Sequence, residues 1–252
     1  MVHFVGAGSG AADLITVRGQ KFIKEADIII YAGSLVNPEL LEEKKAACEV
    51  YNSAFMTLED VIEVMIRGEA EGKMIVRLHT GDPSLYGAIR EQMDLLDEKN
   101  IEYDVCPGVS SFCGAASALN LEYTLPDVSQ SVIITRMAGK TPVPEKEEIA
   151  SFAAHNATMV IFLSTGMLKQ LSEQLIEGGY SKDSPAAIVY KATWKDEKKF
   201  ICTIDTLAQT AEEHKITKTA LIIVGDVISH NHYHRSELYN PAFSTEYRPA
   251  SI

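Results

Sequence analysis

VHFVGAGSGAADLIT, residues 2–16, ends an apolar run in Gly6, Gly8 and Gly10 and then leads toward a helical pattern. Strand, glycine turn and helix in that order open a dinucleotide-binding fold, or another α/β fold with the same punctuation. The dinucleotide frame GxGxxG asks for a third glycine at position 11, where Ala11 stands (some variants tolerate this). It also asks for an acid at the end of the second strand to hold a ribose hydroxyl. That strand, DIIIYAG, carries its acid at the start and ends on Tyr31, Ala32 and Gly33. Residues Ala12 to Thr16 further postpone the helix, whereas a pyrophosphate needs a helix N-terminus immediately behind the turn. The glycines read better as a tight turn in which the backbone reverses without steric cost. An NAD-linked oxidoreductase is the competing reading.

Outward from this stretch, the first half alternates strand and helix. ITVRGQKFIKEA and PELLEEKKAA read as helices, the second with Pro38 at its start, and DIIIYAG and CEVYNS as strands. TLEDVIEVMIRGEAEG opens with the capping box Thr57-x-x-Asp60. KMIVRLHTG and EYDVCPG are further strands; LYGAIREQMDLLDEKN and SSFCGAASALN are further helices. Such alternation predicts a largely parallel sheet with helices on both faces. The pattern breaks around EYTLPDVSQ. Beyond it, the strands SVIITRM, TMVIFLS, AAIVYKATW, KKFICTI and ALIIVGDVI alternate with only three helices, and the turn KDE suggests a hairpin. The expected fold is α/β with two α/β domains: a mainly parallel N-terminal sheet in residues 1–124 and a mixed C-terminal sheet in 125–252. They join near Leu125 to Ser129, and ligands are expected in the cleft between them.

The 252 residues are enough for a large core, and 46% hydrophobic with 23% charged is an ordinary globular balance. No apolar run has bilayer-spanning length and the start shows no signal-peptide pattern, so the expected location is cytoplasmic, with no membrane partner. The formal net charge of −12 argues against a nucleic-acid partner. Cys48, Cys106, Cys113 and Cys202 form no CxxC pair or zinc spacing and are expected to be reduced.

Two stretches offer chemistry. HTGDPSLYG ends a strand at the edge where open α/β sheets bind ligands; Gly81 permits unusual dihedrals, Pro83 stiffens the turn and Asp82 supplies an acceptor. An ordinary turn with Asp82 or Ser84 as helix cap explains it equally well. CPGVSSFCGAAS repeats the logic, but Ser110 and Ser111 lack the GxSxG nucleophile frame, so a capping or ligand-binding hydroxyl is expected. Between Cys106 and Cys113 a catalytic thiol is a minor alternative. His230, His232 and His234 alternate in a way that suggests a metal site; an exposed polar tail is the plainer reading, and no metal is expected.

The loops VGAGSGAADLIT, GDPSLYG and PGVSSF, in this order and spacing, resemble those of the tetrapyrrole (corrin/porphyrin) methyltransferases. ADIIIYAGSLVNPELL (26–41), ITRMAGKTPVPE (134–145) and RSELYNPAFSTEYR (235–248) are similar to the branch methylating C11 of precorrin-4 or its cobalt form in cobalamin biosynthesis. The resemblance spans nearly the whole chain. It implies S-adenosyl-L-methionine as methyl donor, S-adenosyl-L-homocysteine as product, a tetrapyrrole substrate and a homodimer. It also implies that the first glycine loop shapes the substrate trough, with Ser9 at a ligand-touching position. Gly81, Asp82, Pro83, Leu85, Tyr86, Ser110 and Ser111 match cofactor loops, and Leu163, Ala192 and Ala220 match positions around the adenine, where buried strand core is the alternative. Because the substrate bears many carboxylates and the chain is acidic, local cations must bind it. Arg136 and Lys140 are nominated, with Arg18 and Lys21 equally explained by a solvated helix face. Rivals within the fold act on uroporphyrinogen, other precorrin carbons, diphthine or ribosomal RNA; a non-catalytic tetrapyrrole carrier is a third class.

Overall fold

A computed structural model describes residues 1–229 and 233–251. It divides into two compact units, one of Met1–Ala115 with Lys191–Glu197 and the other of Ala116–Tyr190 with Lys198 onward. The first unit contains β1 (Val2–Gly6), α1 (Val17–Glu25), β2 (Ile28–Tyr31), β3 (Glu49–Asn52) and α2 (Leu58–Ala70). β4 (Ile75–His79), α3 (Ile89–Glu98), β5 (Tyr103–Cys106) and the start of α4 (Ser111–Leu119) complete it. Its five strands lie in the order β3-β2-β4-β1-β5, and every pairing is parallel. A sheet covered on both faces buries successive residues, and Ile28, Ile29 and Ile30 are all fully buried. One face packs Phe4, Ile30 and Ile75 with Met65 of α2 and Leu96 of α3. The other packs Val5, Ile29 and Leu78 with Ile23 of α1.

The sequence of this unit departs from simple helical spacing in two places. PELLEEKKAA forms a six-residue 3-10 turn, Pro38–Glu43, not an α-helix. Leu40 alone is buried there, so no apolar stripe holds a longer helix against the sheet. The helix expected from Leu85 begins only at Ile89, because Tyr86 and Ala88 take left-handed φ values of 55° and 49°. The capping box is present: Thr57 N donates to Asp60 Oδ2 at 2.8 Å and Asp60 N to Thr57 Oγ1 at 3.2 Å.

The second unit contains β6 (Val132–Arg136), α5 (Ile149–Ala153), β7 (Thr158–Phe162), α6 (Leu168–Glu177), β8 (Pro185–Tyr190), β9 (Lys198–Thr203), α7 (Leu207–Glu213) and β10 (Ala220–Val224). The order is β6-β7-β10-β8-β9, with β6 and β7 parallel and the other pairs antiparallel, which is the expected mixed sheet. β8 and β9 form the hairpin, from Pro185↔Thr203 to Tyr190↔Lys198. Met159, Ile161, Ile188 and Ile222 build its core with Leu171 and Leu175 of α6 and Leu207 of α7. No helix among the described residues is long and apolar enough to cross a membrane.

Candidate active site

Strand order explains why three motifs far apart in sequence meet. β4, β1 and β5 are neighbours, so the loops after Gly6, His79 and Cys106 leave the same edge of the first sheet side by side. They pack backbone against backbone. A Cβ on Gly6 would lie 2.6 Å from Gly108 Cα and Gly81 O, and one on Gly108 only 2.2 Å from Gly81 O. Gly8 and Gly81 exchange hydrogen bonds, Gly81 N to Gly8 O at 2.9 Å and Gly8 N to Gly81 O at 3.3 Å. The glycines therefore serve contact between loops. Thr16 caps α1 through its acceptance from Gly19 N, so the first helix starts well past the glycine turn, as the spacing predicts.

Asp82 ties this junction together. Its Oδ2 accepts from Gly108 N at 2.8 Å, and its Oδ1 accepts from Ser84 N at 2.9 Å and from the Ser84 hydroxyl. Burial raises the carboxyl's pKa, but the Ser84 hydroxyl and the amides of Gly108 and Ser84 together lower it further, so it ends below its ordinary value. Asp82 is thus an anion locked in place, with its acceptor capacity turned onto the loops. Pro83 is buried, Leu85 half-buried and Tyr86 exposed on the same turn. Gly81, at φ 60°, faces the start of α4: a Cβ there would sit 3.4 Å from Ser111 N and 3.6 Å from Ser110 Cα. Ser110 is buried and its carbonyl accepts from Cys113 N and Gly114 N, while Ser111 is half-buried. Burial pushes the Cys113 thiol above its ordinary pKa, the wrong direction for a nucleophile.

Ser9 and Ala192 belong to the same unit. Ser9 is only 6% exposed. Its hydroxyl lies 3.1 Å from that of Thr193, a residue that no motif or spacing singles out. Gly81, Asp82, Pro83, Ser110, Ser111, Ser9 and Ala192 are therefore one neighbourhood, built on three strand ends and the Lys191–Glu197 loop.

The remaining nominated residues lie in the second unit. Arg136 ends β6, and its guanidinium donates to the carbonyls of Met137 (3.1 Å), Thr141 (3.2 Å) and Pro142 (2.7 Å). It braces its own loop, on which Lys140 is exposed. Ser164, just beyond β7, accepts from Met137 N at 3.0 Å and so joins this loop to that of Leu163. Leu163 is 67% exposed with φ 53°, unlike strand core. Thr165, two residues beyond Leu163, donates its hydroxyl to the Ala220 carbonyl at 3.1 Å and so ties that loop to the start of β10. Arg18 and Lys21 are exposed on α1, Lys21 within 3.9 Å of Glu25. His234 pairs with Asp127; His230 and His232 lie outside the described residues.

The family model of the tetrapyrrole (corrin/porphyrin) methylases matches residues 1–208. The chain belongs to that family. Among individual proteins, this methylase is 52% identical to a cobalt-precorrin-4 C(11)-methyltransferase of Methanocaldococcus jannaschii, over 98% of this chain and 95% of that protein. It superposes on a cobalt precorrin-4 methyltransferase of cobalamin biosynthesis with TM-score 0.88 and 43% identity, covering 90% of this chain and 95% of the other. At 23% identity and TM-score 0.77, covering 91% and 99%, it shares the fold of a Thermus thermophilus uroporphyrin-III C-methyltransferase solved with S-adenosylhomocysteine.

Proposed function

We propose that this chain transfers the methyl group of S-adenosyl-L-methionine to carbon 11 of cobalt-precorrin-4 in cobalamin biosynthesis. What carries the reading is correspondence along nearly the full length, at 52% identity, to a relative named for that reaction. Precorrin-4 without cobalt is the alternative acceptor. The donor is held by the Gly81–Asp82–Pro83 turn with Leu85 and Tyr86, by Ser110 and Ser111, and by Ala192, with Leu163 and Ala220 toward the adenine. The glycine junction supports this: a Cβ at Gly81 would already touch Ser111 N at 3.4 Å and Ser110 Cα at 3.6 Å, so a larger side chain would crowd the two loops assigned to the donor.

When bound, the donor supplies an activated methyl on a sulfonium. The reduced tetrapyrrole carbon is itself the nucleophile, so the protein's part is to hold the two at near-attack distance and keep water out. Asp82 fixes the turn, Ser9 borders the acceptor, and Arg136 and Lys140 meet its carboxylates. Arg136 is already committed to three carbonyls, so it acts through its free N–H groups and through the loop shape that presents Lys140. Arg136→Ala is expected to raise the acceptor KM roughly tenfold, the scale of one charge-assisted contact, and to leave S-adenosylhomocysteine affinity unchanged. Calorimetry and steady-state kinetics separate the two effects; an unchanged acceptor KM removes Arg136 from the site.

The decisive assay incubates the chain with methyl-labelled S-adenosylmethionine and cobalt-precorrin-4, then locates the label by mass spectrometry and NMR. Label at C11 is expected. Label on another carbon assigns a different methylase, retention of NADH in place of the donor assigns an oxidoreductase, and tetrapyrrole retained without label assigns a carrier. A cytoplasmic homodimer is part of the proposal by resemblance to the family, and sedimentation tests the dimer.

A further inference from the structure

Thr193 lies in the Lys191–Glu197 loop between β8 and β9. Its φ is 68°, a strained left-handed value that β-branched residues rarely adopt. Surroundings must hold it there, and they do. Its amide donates to Glu197 Oε2 at 2.6 Å. Its hydroxyl oxygen accepts from Ala11 N at 3.0 Å and lies 3.1 Å from Ser9 Oγ. Gly114 packs on the pair: a Cβ on it would meet Ser9 Cβ at 2.7 Å and Thr193 Cγ2 at 3.2 Å. Next door, Gly10 admits Trp194 so closely that a Cβ would lie 2.2 Å from its ring and 2.8 Å from Ala192 O. Asn37 Nδ2 holds the Gly10 carbonyl from a third side at 2.9 Å.

One hydroxyl thus fastens the first glycine loop to the residue that follows Ala192. We propose that Thr193 is a positioning residue for methyl transfer: it sets the separation between Ser9 at the acceptor and Ala192 at the donor. The inference rests on the methyltransferase reading above. Valine at 193 keeps the shape and the β-branch but leaves Ala11 N–H without its acceptor and Ser9 without its partner. Serine keeps the hydroxyl.

The test compares single-turnover methyl transfer, both KM values and thermal melting for the intact wild-type chain, Thr193→Val and Thr193→Ser. Misplacement of reacting groups by up to about 1 Å lowers rates on the order of 10- to 100-fold. Thr193→Val is expected to lose that much in kcat with the donor KM nearly unchanged, and Thr193→Ser to restore wild-type rate. Equal kcat in Thr193→Val, or no rescue by serine, overturns the proposal. Should the valine variant fail to fold, Thr193→Ala removes the same hydroxyl without the β-branch: a lowered kcat with unaltered S-adenosylhomocysteine affinity supports the assignment, and an unaltered kcat overturns it. A wild-type chain that transfers no methyl refutes the underlying function; an active wild type matched by its valine variant refutes only the role of Thr193.

Discussion

Gly108→Ala is expected to lower thermal stability and to slow methyl transfer on the order of 100-fold. The added Cβ would stand 2.2 Å from Gly81 O and 2.7 Å from Gly6 Cα, distances at which something must move. Nothing soft is available, because both neighbours are backbone at adjacent strand ends. Overpacking of this kind costs about 1–3 kcal/mol, which at this chain length is a fall in Tm of roughly 2–12 °C. Rate suffers more than stability, since the cheapest relief lifts the Gly108 amide away from Asp82 Oδ2, now 2.8 Å distant, and loosens the turn proposed to hold the donor. Gly72→Ala is the control. There the added Cβ meets the opposite problem: φ is 66°, which strains any side chain, but nothing lies within 4 Å of the new Cβ. A cost of about 1–2 kcal/mol with full activity is expected there. Melting curves, calorimetry with S-adenosylhomocysteine and single-turnover rates decide; a Gly108→Ala enzyme as fast as the control would show that the junction is not part of the site.

How much of this was legible depends on the range of the interaction. DIIIYAG announces itself because Ile28, Ile29 and Ile30 are all buried, and a run that apolar has no other place in a chain of this composition. The missing ribose-binding acid and the late helix point the first glycine loop away from a dinucleotide reading, and the helix is indeed late: α1 starts at Val17 behind the Thr16 cap. LYGAIREQ misled because its apolar spacing is helical, while the turn is set by Gly87 lying against the Pro83 carbonyl, where a Cβ would be 2.2 Å away. Spacing does not report such a contact. Still less does it report Thr193 beside Ser9, 184 positions earlier, since that contact is made by the Lys191–Glu197 loop packing within the first unit and by no local spacing. Arg136 shows another limit: its charge is plain in the sequence, but three backbone carbonyls claiming its guanidinium are not.

Beneath the Gly81 turn, His79 is expected to make the protein acid-sensitive well above the range of its carboxylates. The ring is at the end of β4, 4% exposed, 6.1 Å from the Phe4 ring, and its Nε2 has no hydrogen-bond partner. Burial, reinforced by the Arg77 charge, lowers its pKa from 6.5 to about 3. Arg77 is itself 7% exposed; it donates to Gln92 Oε1 at 3.0 Å and Ile30 O at 3.2 Å and pairs with no carboxylate among the described residues. Protonating His79 would put a second cation beside the first. As pH falls below about 6.5, the unfolded chain takes up this proton and the folded chain does not, so stability declines by about 1.4 kcal/mol per pH unit until about pH 3, where the folded state binds it too. Between pH 7 and pH 5 the His79 contribution amounts to about 2 kcal/mol. His79→Leu removes it, along with the unpartnered Nε2, and carboxylates elsewhere affect both proteins alike. Urea unfolding at pH 7, 6 and 5 should therefore show the wild type losing about 2 kcal/mol relative to the variant on acidification. Parallel stability profiles would mean that the imidazole is solvated or paired in the folded protein and takes up its proton there as readily as in the unfolded chain.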